Sequence, residues 1–442
     1  MRSDKYNSRN EINNKNKNVK RKKKPNRKKR DATNMFIIVL LVVVVTLSGV
    51  AFMVANKNGR EKLVDLGVFK ADIKTATIGV MGDLLLHPPV QEGSRTGTDT
   101  YDFRPMFQYI KPYIEELDYS VINFEGTLST KEWGYSGYPL FRYPVNVIDS
   151  TLDTGFDMML TANNHIGDGT KRGFENTLNL FETKSADYIG SRKDTAGKQY
   201  LVKEINGIKV GMANWTYGVI AADGRVSVNG IPVTTKEEML VNVFDYGKLP
   251  AFYEQVKADI AAMKEEGAEV VVYYMHWGNE YKIVENDYQN KMAKQLCNLG
   301  VDVIVGGHPH VLQPMEYLTS ADGKNNTVCI YSLGNAVSNQ RKNFMDRKSG
   351  HTEDGVLFKF TITKKGDEEA FVSGSSYMPT WVNLRTVGSK RLYEIIPLDP
   401  DKGWKEFFKT QTEINSATQS YERSKVILEP GYKTLVFPTV ED

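Results

Sequence analysis

Short apolar runs rich in β-branched or aromatic residues recur along this sequence, and five of them end on a cluster of Asp, Glu, Asn or His. The runs are residues 75–81, 119–124, 158–160, 270–275, 301–305 and 328–331, which read as buried strands followed by turn residues. Between them, 105–117, 173–184, 249–266 and 287–299 carry apolar residues at three-to-four spacing, and Gly267 and Gly300 stand where a helix end needs positive φ. Strands alternating with helices specify an α/β architecture. Residues 200–204 and 208–213 flank Asn206-Gly207, a two-residue hairpin turn, and 356–363, 375–382 and 392–396 add further strands before a C-terminal helix or extension. With 442 residues, 40% hydrophobic and 25% charged, the chain can bury a large core.

Charge is unevenly placed. Residues 1–34 hold fourteen Lys and Arg against three acids, a local charge of +11, which leaves −8 for the rest of a chain whose net charge is +3. A basic tail on an acidic body argues against a nucleic-acid-binding domain, whose basic patch would lie on the folded part. Residues 35–55 are uncharged and apolar, and 21 residues at about 1.5 Å rise span roughly 30 Å, a bilayer's hydrocarbon thickness. That run is longer than a signal-peptide core, so a single uncleaved transmembrane helix is expected. The cations before it place the N-terminus in the cytoplasm and the main domain outside the cell. The expected organisation is a disordered cytoplasmic tail (1–34), a transmembrane helix (35–55), a linker (56–73), a folded domain (74–400) and a C-terminal extension (401–442). Cys297 and Cys329 fall on the apolar side of a helix and in a strand, and are expected to be buried thiols.

The strand-end clusters carry the chemistry. They are Gly82-Asp83, Asn123-Phe124-Glu125, Asn163-Asn164-His165, His276-Trp277-Gly278-Asn279-Glu280 and Gly307-His308-Pro309-His310. In an open α/β sheet the carboxyl ends of the strands share one rim, so these groups converge in space. One Asp, one Glu, one Asn and several His, with no Cys, suit a divalent Mn, Fe or Zn ion and exclude a zinc-thiolate site. Five of the six histidines fall in or near the clusters; His87 reads equally as a ligand or a surface residue, and His351 as solvated.

These motifs, followed by Ser332-Leu333-Gly334-Asn335, resemble the CapA family of bacterial capsule poly-γ-glutamate synthesis proteins, a branch of the calcineurin-like metallophosphatases, over about residues 75–340. The resemblance implies a metallophosphatase-like αββα sandwich outside the cell. It also implies an anionic polymer as substrate and membrane synthetase or exporter subunits as partners. Carried over, Asp83 and Glu125 are carboxylates shared between one or two ions, Asn164, His276 and His308 complete the better site, and His310 serves the poorer one. In the parent family the histidine after the asparagine, here His165, gives a proton to the leaving group or stabilises its charge. Asp168 either orients that imidazole or caps the following helix. Arg142 and Asn335 are candidates for substrate contact at the rim. Leu85 stands where the parent pattern has a histidine and Glu125 where it has an aspartate. Three readings follow: a capsule-polymer protein, an extracellular metal-dependent phosphoesterase, and a non-catalytic polymer-binding module. The first two share fold and metal site, and because fold alone does not transfer chemistry the sequence does not decide between them.

Overall fold

The computed structural model describes residues 27–55, 72–234, 240–346 and 348–438, and divides into a unit up to Ala71 and a second from Asp72 onward. In the first, helix α1 (Arg27–Ala55) takes in the whole apolar run and starts eight residues before it. The stretch 27–34, expected to be disordered, is helical: Arg, Lys and Ala are strong helix formers, and extending an existing helix is cheap. The expected tail 1–26 and linker 56–71 lie outside the described residues. All described α1 side chains, 35–48 and 50, are exposed. Among the described residues no helix is long and apolar enough to cross a membrane.

The second unit is built on two sheets. The strands of the first are β1 (Ile73–Leu84), β2 (Tyr119–Phe124), β3 (Met158–Leu160), β4 (Asp187–Ile189), β12 (Asn335–Val337), β13 (Asp354–Lys365), β14 (Phe371–Val387) and β15 (Lys390–Pro397). Their order is β15-β14-β13-β1-β2-β3-β4, with β12 also beside β1. The second sheet holds β5 (Tyr200–Ile205), β6 (Ile208–Tyr217), β7 (Val243–Phe244), β8 (Val270–His276), β9 (Val303–Gly307), β10 (Leu312–Thr319) and β11 (Asn326–Leu333). Its order is β7-β6-β8-β9-β11-β10, with β5 beside β6. Pairs β1-β2, β2-β3, β6-β8, β8-β9 and β9-β11 are parallel, so their carboxyl ends lie on one edge.

Period-two alternation sorts the side chains into layers. Val270, Val272 and Tyr274 of β8 face Ala76, Ile78, Val80 and Val121 across the space between the sheets. Val271, Tyr273 and Met275 turn outward onto α4 (Leu249–Glu265) and α5 (Asp287–Asn298), where Cys297 and Cys329 are buried free thiols. On the far side of the first sheet, Met81, Ile122 and Met159 pack with α2 (Asn146–Thr154) and α3 (Thr170–Thr183). The layers run helix, sheet, sheet, helix. The helix expected over 105–117 is instead two single turns, Arg104–Phe107 and Lys111–Ile114. Pro112 cannot donate to the carbonyl one turn back, so a continuous helix fails there. Asn206 and Gly207, at φ 50 and 77, make the tight turn joining β5 to β6.

Helix α6 (Gln411–Tyr432) opens with a Thr410–Glu413 capping box and sends Ile427 and Leu428 into the core between the sheets. Arg423 forks onto the buried Asp354 carboxylate through Nε (2.8 Å) and Nη2 (2.7 Å). The C-terminal segment is part of the body rather than an appendage. Leu428→Ala should therefore cost about 2–5 kcal/mol, read as a lower urea midpoint at unchanged slope.

Candidate metal centre

Each cluster reaches the common edge by a local device. In β1, Met81 pairs with Ile122 and Asp83 with Asn123, which leaves Gly82 unpaired as a bulge. The bulge resets the alternation, so Asp83 faces the second sheet with Asn123 instead of joining the helix-side core. A Cβ at Gly82 would lie 2.0 Å from the Gly334 carbonyl oxygen, so no larger residue fits. Glu125 follows β2, and the Tyr143 hydroxyl donates to its carbonyl. His276 continues the inward parity of Val272 and Tyr274 past the end of the hydrophobic layer. The turn after β9 holds His308 at φ 97 and His310 at φ 57, left-handed values that non-glycine residues avoid. Two strained histidines one residue apart mark a place where geometry outweighs local preference.

The side chains meet. Asn123 Nδ2 donates to Asp83 Oδ1 (2.7 Å), His310 Nδ1 lies 3.0 Å from Asp83 Oδ2, and His276 Nε2 lies 2.8 Å from Asn164 Oδ1. Asn163 braces the loop by donating to the Phe124 carbonyl (2.9 Å). Glu125, His276 and His308 form one group with ligand atoms within 4.8 Å of each other, and Asp83, Glu125 and His310 form a second. Glu125 belongs to both, and its carboxylate is fully buried. Its Oε1 is 3.7 Å from His276 Nε2 and 3.8 Å from His310 Nε2.

Two atoms at the junction, Glu125 Oε1 and His308 Nδ1, are buried without any hydrogen-bond partner. An unpaired buried carboxylate oxygen is costly, and a cation between the groups would supply the missing partner. The donor set fits a divalent ion: imidazole nitrogen, carboxylate and amide oxygen, with no thiolate. Charge points the same way. Burial, then the neighbouring Asp83 charge, pushes the Glu125 carboxyl well above its ordinary range. Burial, then the neighbouring histidines, keeps His276 and His308 neutral, as ligands must be. Burial alone would lower His310 too, but the Glu125 and Asp83 carboxylates hold it up at about 9.

The remaining sequence candidates separate. His165 Nδ1 lies 2.7 Å from Asp168 Oδ2, and both residues are buried. Asp168 does not cap α3, whose first turn follows Gly169 with no side-chain cap; it also accepts from the Phe141 backbone N–H. Arg142 is half-buried, and its guanidinium donates to Ser136 Oγ (2.9 Å) and the Trp133 carbonyl (3.1 Å) within its own loop. Asn335 is fully buried beside Asp83 in the strand register; its Nδ2 donates to protein carbonyls, and its Oδ1 has no hydrogen-bond partner. Leu85 packs in the helix-side core, and His87 stays outside both ligand groups, its Nδ1 3.3 Å from the Asn339 backbone nitrogen. His351, expected in solvent, is half-buried 3.8 Å from Asp354. Tyr217 was not anticipated: its ring lies 4.8 Å from that of His308. Its strand continues to Tyr217 rather than ending at 213, and the run Trp215-Thr216-Tyr217 was the available signal.

Layers, rim and donor set define an α/β protein with a buried ligand cluster able to hold a divalent ion. The chain belongs to the family described as bacterial capsule synthesis protein PGA_cap, which it matches over residues 77–340. It is 27% identical over 363 residues to the PGA biosynthesis protein CapA of Bacillus subtilis (strain 168), covering 80% of this chain and 85% of that one. It is 25% identical over 300 residues to the capsule biosynthesis protein CapA of Bacillus anthracis, covering 66% of this chain and 64% of that one. Since Glu125 is common to both groups, Glu125→Ala should abolish metal uptake altogether. His276→Ala or His310→Ala should spare one group, and elemental analysis after dialysis distinguishes the patterns.

Proposed function

We propose that this chain is a membrane-anchored capsule-synthesis protein. Its body stands outside the cell and takes part in making or exporting poly-γ-glutamate or a related anionic polymer, beside membrane synthetase or exporter subunits. The observation that carries this reading is that the family match over 77–340 encloses the whole ligand cluster, from Asp83 to His310. The relatives' names, PGA biosynthesis and capsule biosynthesis, support the polymer. The anchor is proposed from the sequence alone, the uncharged run 35–55 behind a segment of charge +11. Protease added to intact cells should remove the body; full protection would overturn the topology.

The site is proposed to be metal-dependent and of the metallophosphatase type. Glu125, Asn164, His276 and His308 would hold one ion, and Asp83, Glu125 and His310 a second. A bound divalent ion would supply Lewis-acid polarisation of the scissile group and charge neutralisation. The protein's own contribution is proton handling: Asp168 fixes the His165 ring through Nδ1, leaving Nε2 to protonate a leaving group. His165 is in neither ligand group, so its task is separate from ion binding.

That His165–Asp168 pair also favours a second reading, an extracellular metal-dependent phosphoesterase, over a binding module, which has no use for an oriented proton donor. His165→Ala should keep its metal and lose about 10²–10⁴-fold in turnover of a generic phosphodiester. Capsular polymer should fall in cells carrying the same variant. Metal bound without phosphodiester turnover, together with lost polymer, would favour the capsule reading; turnover with intact polymer would favour the phosphoesterase.

A further inference from the structure

The turn Ser332-Leu333-Gly334-Asn335 joins β11 to β12 and lies against the backbone of two residues of the second ligand group. Gly334, at φ 66, turns its carbonyl to accept from the Asp83 backbone N–H at 3.0 Å. Asn335 pairs with Asp83 in the parallel register of β12 with β1. Its two Nδ2 hydrogens are shared among three acceptors, the His310 carbonyl (3.2 Å), the Thr352 carbonyl (3.0 Å) and Gln340 Oε1 (3.1 Å), while its buried Oδ1 has no partner. Ser332 Oγ donates to the Val311 carbonyl at 2.7 Å. Two consecutive carbonyls, those of His310 and Val311, are thus fastened by the first and last residues of one four-residue turn. His310 needs the restraint, because its left-handed backbone is disfavoured for an imidazole residue. No bond from this turn reaches His276 or His308.

Given the proposed metal centre, we infer that this turn is the positioning device of one metal position only, the one formed by Asp83, Glu125 and His310. Asn335 acts through the main chain of His310, Ser332 through that of its neighbour Val311, and Gly334 through that of Asp83. On this reading Asn335, expected as a substrate contact, acts instead as a positioning residue through its Nδ2. Residues that orient ligands from behind commonly change metal affinity about 10–100-fold when removed.

The test is a Mn²⁺ titration of the metal-stripped full-length chain, with bound ions counted by elemental analysis and unfolding midpoints recorded in parallel. Wild type should take two ions. Ser332→Ala should weaken one binding step by about 3- to 10-fold, the loss of one hydrogen bond, and leave the other within twofold. Asn335→Ala should weaken the same step by about 10–100-fold, reproducing the pattern of His310→Ala and not that of His308→Ala. Two ions bound alike by wild type and both turn variants would overturn the positioning role while leaving the metal centre standing. Equal weakening of both steps in step with a lower unfolding midpoint would overturn it too, by showing general support of the fold. A wild type that takes a single ion would sink the selective role, and one that takes none would sink the metal centre with it.

Discussion

A carboxylate oxygen with no partner, sealed between three imidazoles, is the constraint around which this body is arranged. Glu125 contributes to both ligand groups, and its Oε1 stays unpaired while Asn123, Asn163 and Tyr143 brace the segments around it. Burial pushes its carboxyl well above the ordinary range, so the charged form is held only where something else balances it. Among the described residues His310 is suited to that, its proton held to about 9 by the two carboxylates. A divalent cation fills the same need more fully, and the neutral His276 and His308 are ready to ligate it.

Holding such a cluster together takes backbone that neither sheet provides by itself. Regular alternation delivers Asn123 and His276 to the inner edge without further device. Asp83 arrives only through the Gly82 bulge, and His308 and His310 only through two left-handed residues flanking Pro309. The devices interlock, since the carbonyl that excludes a side chain at Gly82 belongs to Gly334, in the turn that also secures His310. The large hydrophobic layers on either side of each sheet supply the stability that such strained segments draw on.

Much of this was legible in the sequence because it follows from period two. Buried strands announce themselves as apolar β-branched runs, and the polar residue that ends each run marks the rim. Hence the α/β class, the strands 119–124 and 158–160, and the convergence of Asp83, Glu125, Asn164, His276, His308 and His310 could be read without coordinates. What could not be read depends on contacts distant in sequence. Whether Asp168 capped a helix or braced His165 turned on where Phe141 lies. Asn335 looked like a polar residue free for a ligand, and only the approach of the His310 and Thr352 carbonyls shows its amide nitrogen to be occupied. The helix over 105–117 failed for a local reason, Pro112, that periodicity alone understated.

The central claim is that Glu125 is the point where ion binding is shared. Crystals of the chain loaded with Mn²⁺ or Zn²⁺ and measured at the metal's absorption edge address it directly. The expected result is an anomalous peak about 2.0–2.2 Å from Glu125 Oε1, flanked by His276 and His308. A second, weaker peak should lie on the side of Asp83 and His310. Anomalous signal located elsewhere in the body, with Glu125 Oε1 satisfied by water alone, would contradict the account.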